Sequence, residues 1–281
     1  WLSNCPELLT GLPTEYQQDP HLFENVDNPN MLSVLGIQYR PIQDEFTYRV
    51  ELENPKVWSK RTVLSTIART FDPNGWIAPV TFLLKCFMQR LWSANLSWDE
   101  GIAGDLLKDW LNFFSSLPDI NHVSIPRKLV PAGKYKASLH GFSDASERGF
   151  AAAVYLRTVS STGRVDIRLV LAKSKVAPLR TRMTIPKLEL SGAALLTRLL
   201  NHTATSLRSV IDLENTVYAW TDSQIVLCWL KASVHTLEVF VANRVSQIQG
   251  SEVPLTWRHV PGELNPADCA SRGCLASEIV D

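Results

Sequence analysis

The chain has 281 residues, 45% of them apolar and 20% charged, and its net charge is zero. This composition excludes a disordered tail, a collagen-like repeat and a coiled coil, and the length allows one large domain or two ordinary ones. No apolar stretch approaches the roughly 18–20 residues of a membrane span, and no secretory or other targeting signal is visible. Five scattered cysteines are too few for a disulfide scaffold, so an intracellular, reducing compartment is expected, cytoplasmic with access to the nucleus. The chain starts at Trp1 rather than Met, and is expected to be a piece of something longer.

In chain order, Leu35–Tyr39 and Phe46–Val50 are expected to pair as strands across Pro41–Glu45. Val63, Leu64, Ile67, Ala68 and Phe71 fall at helical spacing, which predicts a helix over 60–71 that Asp72-Pro73-Asn74-Gly75 stops with turn chemistry. Two more helices are expected over 79–92 and 99–117, the second with Leu106, Leu107, Trp110, Phe113 and Phe114 on one face. Pro118, Pro126, Pro131 and Gly133 mark residues 118–134 as a linker. The rhythm then changes. Residues 136–143, 149–157 and 166–173 read as three strands of a meander, and 184–207 as a long helix with Pro186 in its first turn. A short strand over 216–221, a helix capped by Ser223, a helix over 236–249, a strand over 255–260 and a short helix opened by Asn265-Pro266 complete the order. Three antiparallel strands followed by crossover units imply a mixed five-stranded α/β sheet with helices on both faces, preceded by a mainly helical module. The expected partition is 1–117, a linker at 118–134, and 135–281.

The zero total charge hides an asymmetry. Residues 1–130 carry a net −4 and residues 131–281 a net +4. Between Arg164 and Lys187 there are seven basic residues and one acid, Asp166. Such a stretch suits a polyanionic partner, or else a solvated hairpin. Lys173, Lys175, Arg180, Arg182 and Lys187 are the candidates to contact phosphates.

Four acids fall where this layout gathers side chains. Asp144 and Asp222 end strands, while Glu189 and Asp268 lie in the first turns of helices. Each also has a plain structural use: Asp144 and Asp222 as turn or cap residues, Asp268 as a first-turn acid, Glu189 as an exposed helix residue. Four converging carboxylates need cations, and an oxygen-only donor set suits two Mg²⁺ or Mn²⁺ ions. Such a pair, roughly 4 Å apart, can activate water and stabilise the leaving oxygen of a phosphodiester.

The strings Leu139-His140-Gly141-Phe142-Ser143-Asp144-Ala145-Ser146, Thr184-Ile185-Pro186-Lys187-Leu188-Glu189-Leu190, Thr221-Asp222-Ser223-Gln224 and Asn265-Pro266-Ala267-Asp268-Cys269-Ala270-Ser271-Arg272-Gly273 together resemble the ribonuclease H region of BEL/Pao-type LTR retrotransposon polyproteins. Leu35-Gly36-Ile37-Gln38-Tyr39, the run from Lys60 to Pro73 and Leu91-Trp92 resemble the thumb and connection of the same polyprotein's reverse transcriptase. The resemblance implies a magnesium-dependent nuclease that cuts the RNA strand of an RNA–DNA hybrid. Asp144, Glu189, Asp222 and Asp268 match the family's metal-binding acids by position. It also implies an upstream partner, the reverse transcriptase fingers and palm, because no Asp-Asp polymerase motif occurs in this chain. His259, in a short His259-Val260-Pro261-Gly262-Glu263 loop, is a candidate helper in proton transfer or product release, or a strand-end histidine without chemistry.

Other chemistries fit less well. Neither Asp-Thr-Gly nor Asp-Ser-Gly is present, so an aspartic protease is excluded. Gly141-Phe142-Ser143-Asp144-Ala145 departs from a nucleophile elbow at its fifth residue. Cys269, Cys274 and His259 lack paired zinc-ligand spacing, and there is no Walker-type phosphate loop. Glu189 precedes Asp222, which is the wrong order for an integrase. The remaining alternative is a domesticated or decayed element that binds nucleic acid, or serves as a scaffold, without cutting.

Overall fold

The computed structural model describes residues 3–16, 33–34 and 36–279. Its strands are β1 (Ser33–Val34), β2 (Ile37–Arg40), β3 (Glu45–Tyr48), β4 (Ser124–Pro126), β5 (Tyr135–Ser146), β6 (Gly149–Ser160), β7 (Val165–Val176), β8 (Val217–Thr221) and β9 (Leu255–His259). Its α-helices are α1 (Lys60–Arg69), α2 (Ala78–Ser93), α3 (Gly104–Ser116), α4 (Ile185–Arg208), α5 (Gln224–Lys231), α6 (Val239–Gln249) and α7 (Asp268–Arg272). Backbone contacts divide the chain into two compact units. The first takes the residues up to Asp72, Ser97–Lys128 and those from Ala276; the second takes Pro73–Leu96 and Leu129–Leu275. No helix among the described residues is long and apolar enough to cross a membrane.

In the first unit, the expected hairpin forms between β2 and β3, with Ile37 opposite Tyr48 and Arg40 opposite Glu45; Leu35 lies outside the described residues. It belongs to a four-stranded antiparallel sheet in the order β1-β2-β3-β4. Ser59 starts α1 through a reciprocal capping box with Thr62. The helix α3 starts later than its periodicity suggests, because Gly101 bridges to Ser59 and Gly104 takes a φ of 59°. Trp110 is fully buried and meets Trp58 edge-on, with ring centroids 5.4 Å apart. The segment expected to be a linker is instead structured. A 3₁₀ helix at Leu117–His122 buries Leu117 and Ile120, and β4 then pairs with β3.

The second unit carries a five-stranded sheet in the order β7-β6-β5-β8-β9. The meander β5-β6-β7 is antiparallel, and β8 and β9 are added parallel. The long helix α4 covers one face. There Leu195, Leu196, Leu199 and Leu200 bury Leu139, Val154, Leu156 and Ala219. Helices α5 and α6 close over α4 through Leu190, Val226, Val241 and Val245. On the opposite face, α2 and α7 press Ala78 and Ala270 onto Ala151, Ala153 and Ala172.

The helix α2 sits on the other side of the expected boundary. Its sequence position suggested the first module, but its contacts are with β7 and α7. The turn before it explains this placement. Gly75, at φ 71°, lies so close to β7 that a Cβ would fall 1.8 Å from the Ala172 carbonyl oxygen, and Asn74 O accepts from Ala172 N at 2.8 Å. Gln89 Nε2 adds a bond to Ala177 O at 2.7 Å. The edge strand is thereby covered and its backbone partly satisfied. A fragment beginning at residue 130 lacks α2 and leaves the alanine face of the sheet covered only by α7.

Candidate active site

Asp144 lies near the carboxyl end of β5, the central strand, and Asp222 directly follows β8, its parallel neighbour. Parallel strands put both carboxylates at one edge of the sheet. Ser223 then caps α5, accepting from Val226 N, and so turns the chain immediately after Asp222. Glu189 comes from the second turn of α4. It reaches the same edge because α4 approaches β5 closely at Gly192, where a Cβ would lie 3.2 Å from the Asp144 carbonyl oxygen. Asp144, Glu189 and Asp222 each offer a carboxylate oxygen, and these oxygens lie within 4.8 Å of one another.

Two of the three acids are withdrawn from water and the third, Asp222, is half-buried. Asp144 is 4% exposed and Glu189 7%. Burial, aided by the neighbouring Asp144 and Asp222 charges, pushes the Glu189 carboxyl up to about 8, although the Ala145 backbone N–H donates to it. Burial, with Asp222 and Asp268 nearby, pushes Asp144 up to about 6, although the Ser271 hydroxyl donates to its Oδ2. Glu189 Oε2 and Asp222 Oδ1 are buried and make no hydrogen bond. Buried acceptors without donors are rare in folded proteins and call for a partner. An all-oxygen set with two orphaned acceptors fits a hard divalent cation. Among the described residues, no other group of three acid, histidine or cysteine side chains gathers in this way.

The fourth predicted acid stands at the margin. Asp268 opens α7 and pairs with Arg272, its Oδ1 accepting from Nε at 2.6 Å, yet its charge still bears on Asp144. Buried Asn265 sets the start of this segment: its Nδ2 donates to Ser143 O at 3.0 Å and its Oδ1 accepts from Ala267 N. Asn265 and Ser271 are positioning residues that the sequence reading did not assign, although both lie in the Asn265–Gly273 string. His259 ends β9 opposite Thr221, exposed and outside the acid cluster. Cys269 and Cys274 bring their sulfurs within 3.8 Å of each other, without His259 in a shared cluster.

The basic candidates separate into groups. Lys173 and Lys175 are exposed on β7, while their neighbours Ala172 and Ser174 are buried. Burial first, then Arg198 and Lys173, hold the Lys175 ammonium below its usual range, so these three cations are close. Arg198 also bears on Arg244, whose guanidinium lies 3.4 Å from the centroid of the Phe240 ring. Arg198 and Arg244 were missed because they lie far from the basic run in sequence. Lys187 is held by Glu238 at 3.3 Å, and Arg180 and Arg182 are exposed in the connection before α4.

The sheet order, the helices on both faces and the acids at the strand ends define an RNase H-like α/β domain. The sequence matches the Pao retrotransposon-like RNaseH-like domain over residues 59–223, and the chain belongs to that family. The matched span contains Asp144, Glu189 and Asp222 and ends before Asp268. No curated protein matches the sequence. Solved structures similar to the chain include RNase H1 from the halophilic archaeon Halobacterium salinarum NRC-1, at 16% identity over 52% of this chain and 98% of that one, with a TM-score of 0.30. The N-terminal RNase H domain of Rv2228c from Mycobacterium tuberculosis, solved as a maltose-binding-protein fusion, aligns at 10% identity over 53% and 100%, with a TM-score of 0.30. LC11-RNase H1 in complex with an RNA/DNA hybrid aligns at 16% identity over 47% and 89%, with a TM-score of 0.29.

Proposed function

We propose that the second unit is a ribonuclease H that hydrolyses the RNA strand of RNA–DNA hybrids. The observation that carries this is the trio of buried Asp144, buried Glu189 and half-buried Asp222, two of them with orphaned oxygens, in a chain of the Pao RNaseH-like family. These three residues, with Asp268 at the margin of the site, would hold two Mg²⁺ or Mn²⁺ ions. When bound, such ions supply charge neutralisation at the phosphate and a lowered pKa for the attacking water. The protein's own part is positional. Ser271 and the Ala145 backbone N–H orient two of the carboxylates, and the depth of Glu189 keeps bulk water from competing for its oxygens. Lys173 and Lys175, with Arg198 beside them, supply phosphate contacts; His259, at the exposed end of β9, is a candidate helper for proton transfer. The first unit, without α2, would belong to the thumb and connection of a reverse transcriptase whose fingers and palm lie upstream. Incubating the full chain with a labelled hybrid in Mg²⁺ tests this reading. Cleavage of the RNA strand, abolished by EDTA and absent on double-stranded DNA, is expected; an intact hybrid would leave only the binding or scaffold alternative.

A further inference from the structure

The face of the second sheet opposite α4 is only partly covered. Toward the acid end, Ala151, Ala153 and Ala172 lie under α2 and α7. Further down β5 and β8 the same face carries His140, Phe142, Tyr218 and Trp220, and β9 adds Arg258. These side chains stand outside the leucine-rich, α5–α6 and alanine clusters of the unit. They make a ladder of their own. His140 stacks on Tyr218 at 4.9 Å, Phe142 lies parallel to Trp220 at 6.1 Å, and exposed Arg258 lies 4.7 Å over the Tyr218 ring. Arg157, two positions from Tyr155 on the same face of β6, bears on His140 from one side as Arg258 does from the other. Basic groups therefore flank the His140 end of the ladder, and the site acids lie beyond its other end. Phe142 and Trp220 each stand two residues before a site acid, Asp144 and Asp222, along the same strands.

We propose that this aromatic face binds single-stranded nucleic acid, with Arg157 and Arg258 on phosphates and bases against the ladder. Guanidinium planes and aromatic rings accept any base, and flanking cations hold the backbone. A protein partner would also value the rings, but the flanking cations and the common strands with the acid site favour a polyanion. The inference rests on the nuclease reading only for the reason a strand comes here: it is the single-stranded flank of a nucleic acid seated at Asp144 and Asp222.

The test is fluorescence polarisation of a labelled 20-nucleotide oligothymidylate with the full chain in EDTA, titrated at several salt concentrations. The parent should bind with a clear salt dependence. Arg157→Ala with Arg258→Ala should weaken binding about tenfold and lower the salt slope by roughly 1.4. Trp220→Leu should weaken it about tenfold through lost stacking. Arg258 is exposed, so Arg258→Ala alone provides a variant whose fold is not at risk. Cleavage of a blunt hybrid should stay within about twofold in that variant, because the blunt substrate has no single-stranded flank for this face to hold. Oligothymidylate affinity unchanged by the arginine substitutions would overturn the proposal. So would sedimentation showing that the same substitutions dissociate a dimer, which would make a second copy the occupant. Binding without hybrid cleavage would remove the nuclease reading and leave this one standing.

Discussion

The paired acids of the first unit and the acid cluster of the second are treated in opposite ways. In the first, acids are answered one by one. Asp44 pairs with Arg127, Asp99 with Arg61, Glu53 with Arg69 and Glu51 with Arg49, at distances of 2.5–2.8 Å. The arginine hydrogen bond holds Asp44, Asp99 and Glu53 each below the usual carboxylate range. In the second unit, buried Asp144 and Glu189 and half-buried Asp222 face one another without a Lys or Arg bridge among the described residues, and the first two are pushed upward. Paired acids stabilise a fold mildly; buried, unpaired acids destabilise it until something positive arrives. The contrast marks the second set as a place for a ligand.

The largest effect that can break this contrast is on catalysis. Asp144→Asn and Asp222→Asn should each lower hybrid cleavage by about 10²–10³-fold or more, the scale seen when one transition-state-stabilising group is removed. The thermal midpoint without metal should hold or rise, since a repelling charge is gone. Near-parental cleavage by Asp144→Asn would mean that the acids are not the site.

Next in size is the pH dependence of metal-free stability. Glu189 ordinarily titrates near 4.5 and is raised to about 8 in the fold. Folding therefore favours its protonated form. That contribution is complete below the unfolded value and is lost as pH climbs through the folded one. Asp144, raised from 3.8 to about 6, adds to the loss at the lower end of the same window. Thermal melts in EDTA should therefore fall between pH 5 and pH 8. Glu189→Gln should flatten the upper part of that fall and raise the midpoint at pH 8 by a few degrees, equivalent to about 1–2 kcal/mol. Millimolar Mg²⁺ should protect the parent more at pH 8 than at pH 5. A flat profile in the parent would show that these carboxylates are not strained by their burial.

A smaller effect is expected from the exposed cations. Lys173→Ala with Lys175→Ala should weaken hybrid binding several-fold and lower its salt slope by roughly one to two contacts, with no change in sequence preference. An unchanged slope would return this stretch of β7 to an ordinary solvated strand.

Much of the second unit was legible because its signals are local. The alternation in β5, β6 and β7, the leucine spacing of α4 and the Ser223 cap each depend on a few neighbouring residues, and three of the four predicted acids meet. What the sequence hid was long-range. Nothing within residues 78–93 says that this helix belongs to the later sheet; that follows from the fit of Gly75 against Ala172, almost 100 positions away. Arg198 and Arg244 join Lys175 only because α4, α6 and β7 fold together. Asp268 is equivalent to the other acids by sequence, and the Arg272 pairing and its place outside the cluster set it apart. In the first unit, β4 was read as linker because its three residues, ending in Pro126, carry no strand pattern without β3 beside them.

The smallest effect belongs to the paired acids, and its sign is the opposite of that at Glu189. Asp44 is held low by the Arg127 hydrogen bond and by the Tyr39 hydroxyl, which donates to its Oδ1 at 2.8 Å. Its folded form favours ionisation. Its stabilising contribution is thus present above the ordinary value near 3.8 and is lost as pH falls through the lower, folded one. The side chains of the pair are 44% and 23% exposed, so water and salt screen the interaction. Asp44→Asn should cost less than about 1 kcal/mol at pH 7, and less still in 0.5 M salt, the range measured for surface pairs. The cost should vanish on acidification, where the metal-free Glu189 contribution is at its most favourable. Hybrid cleavage should not change. Melts of the parent, Asp44→Asn and Glu189→Gln across pH 3–9 therefore give two difference curves of opposite slope. Parallel curves would mean that both units handle their acids in the same way.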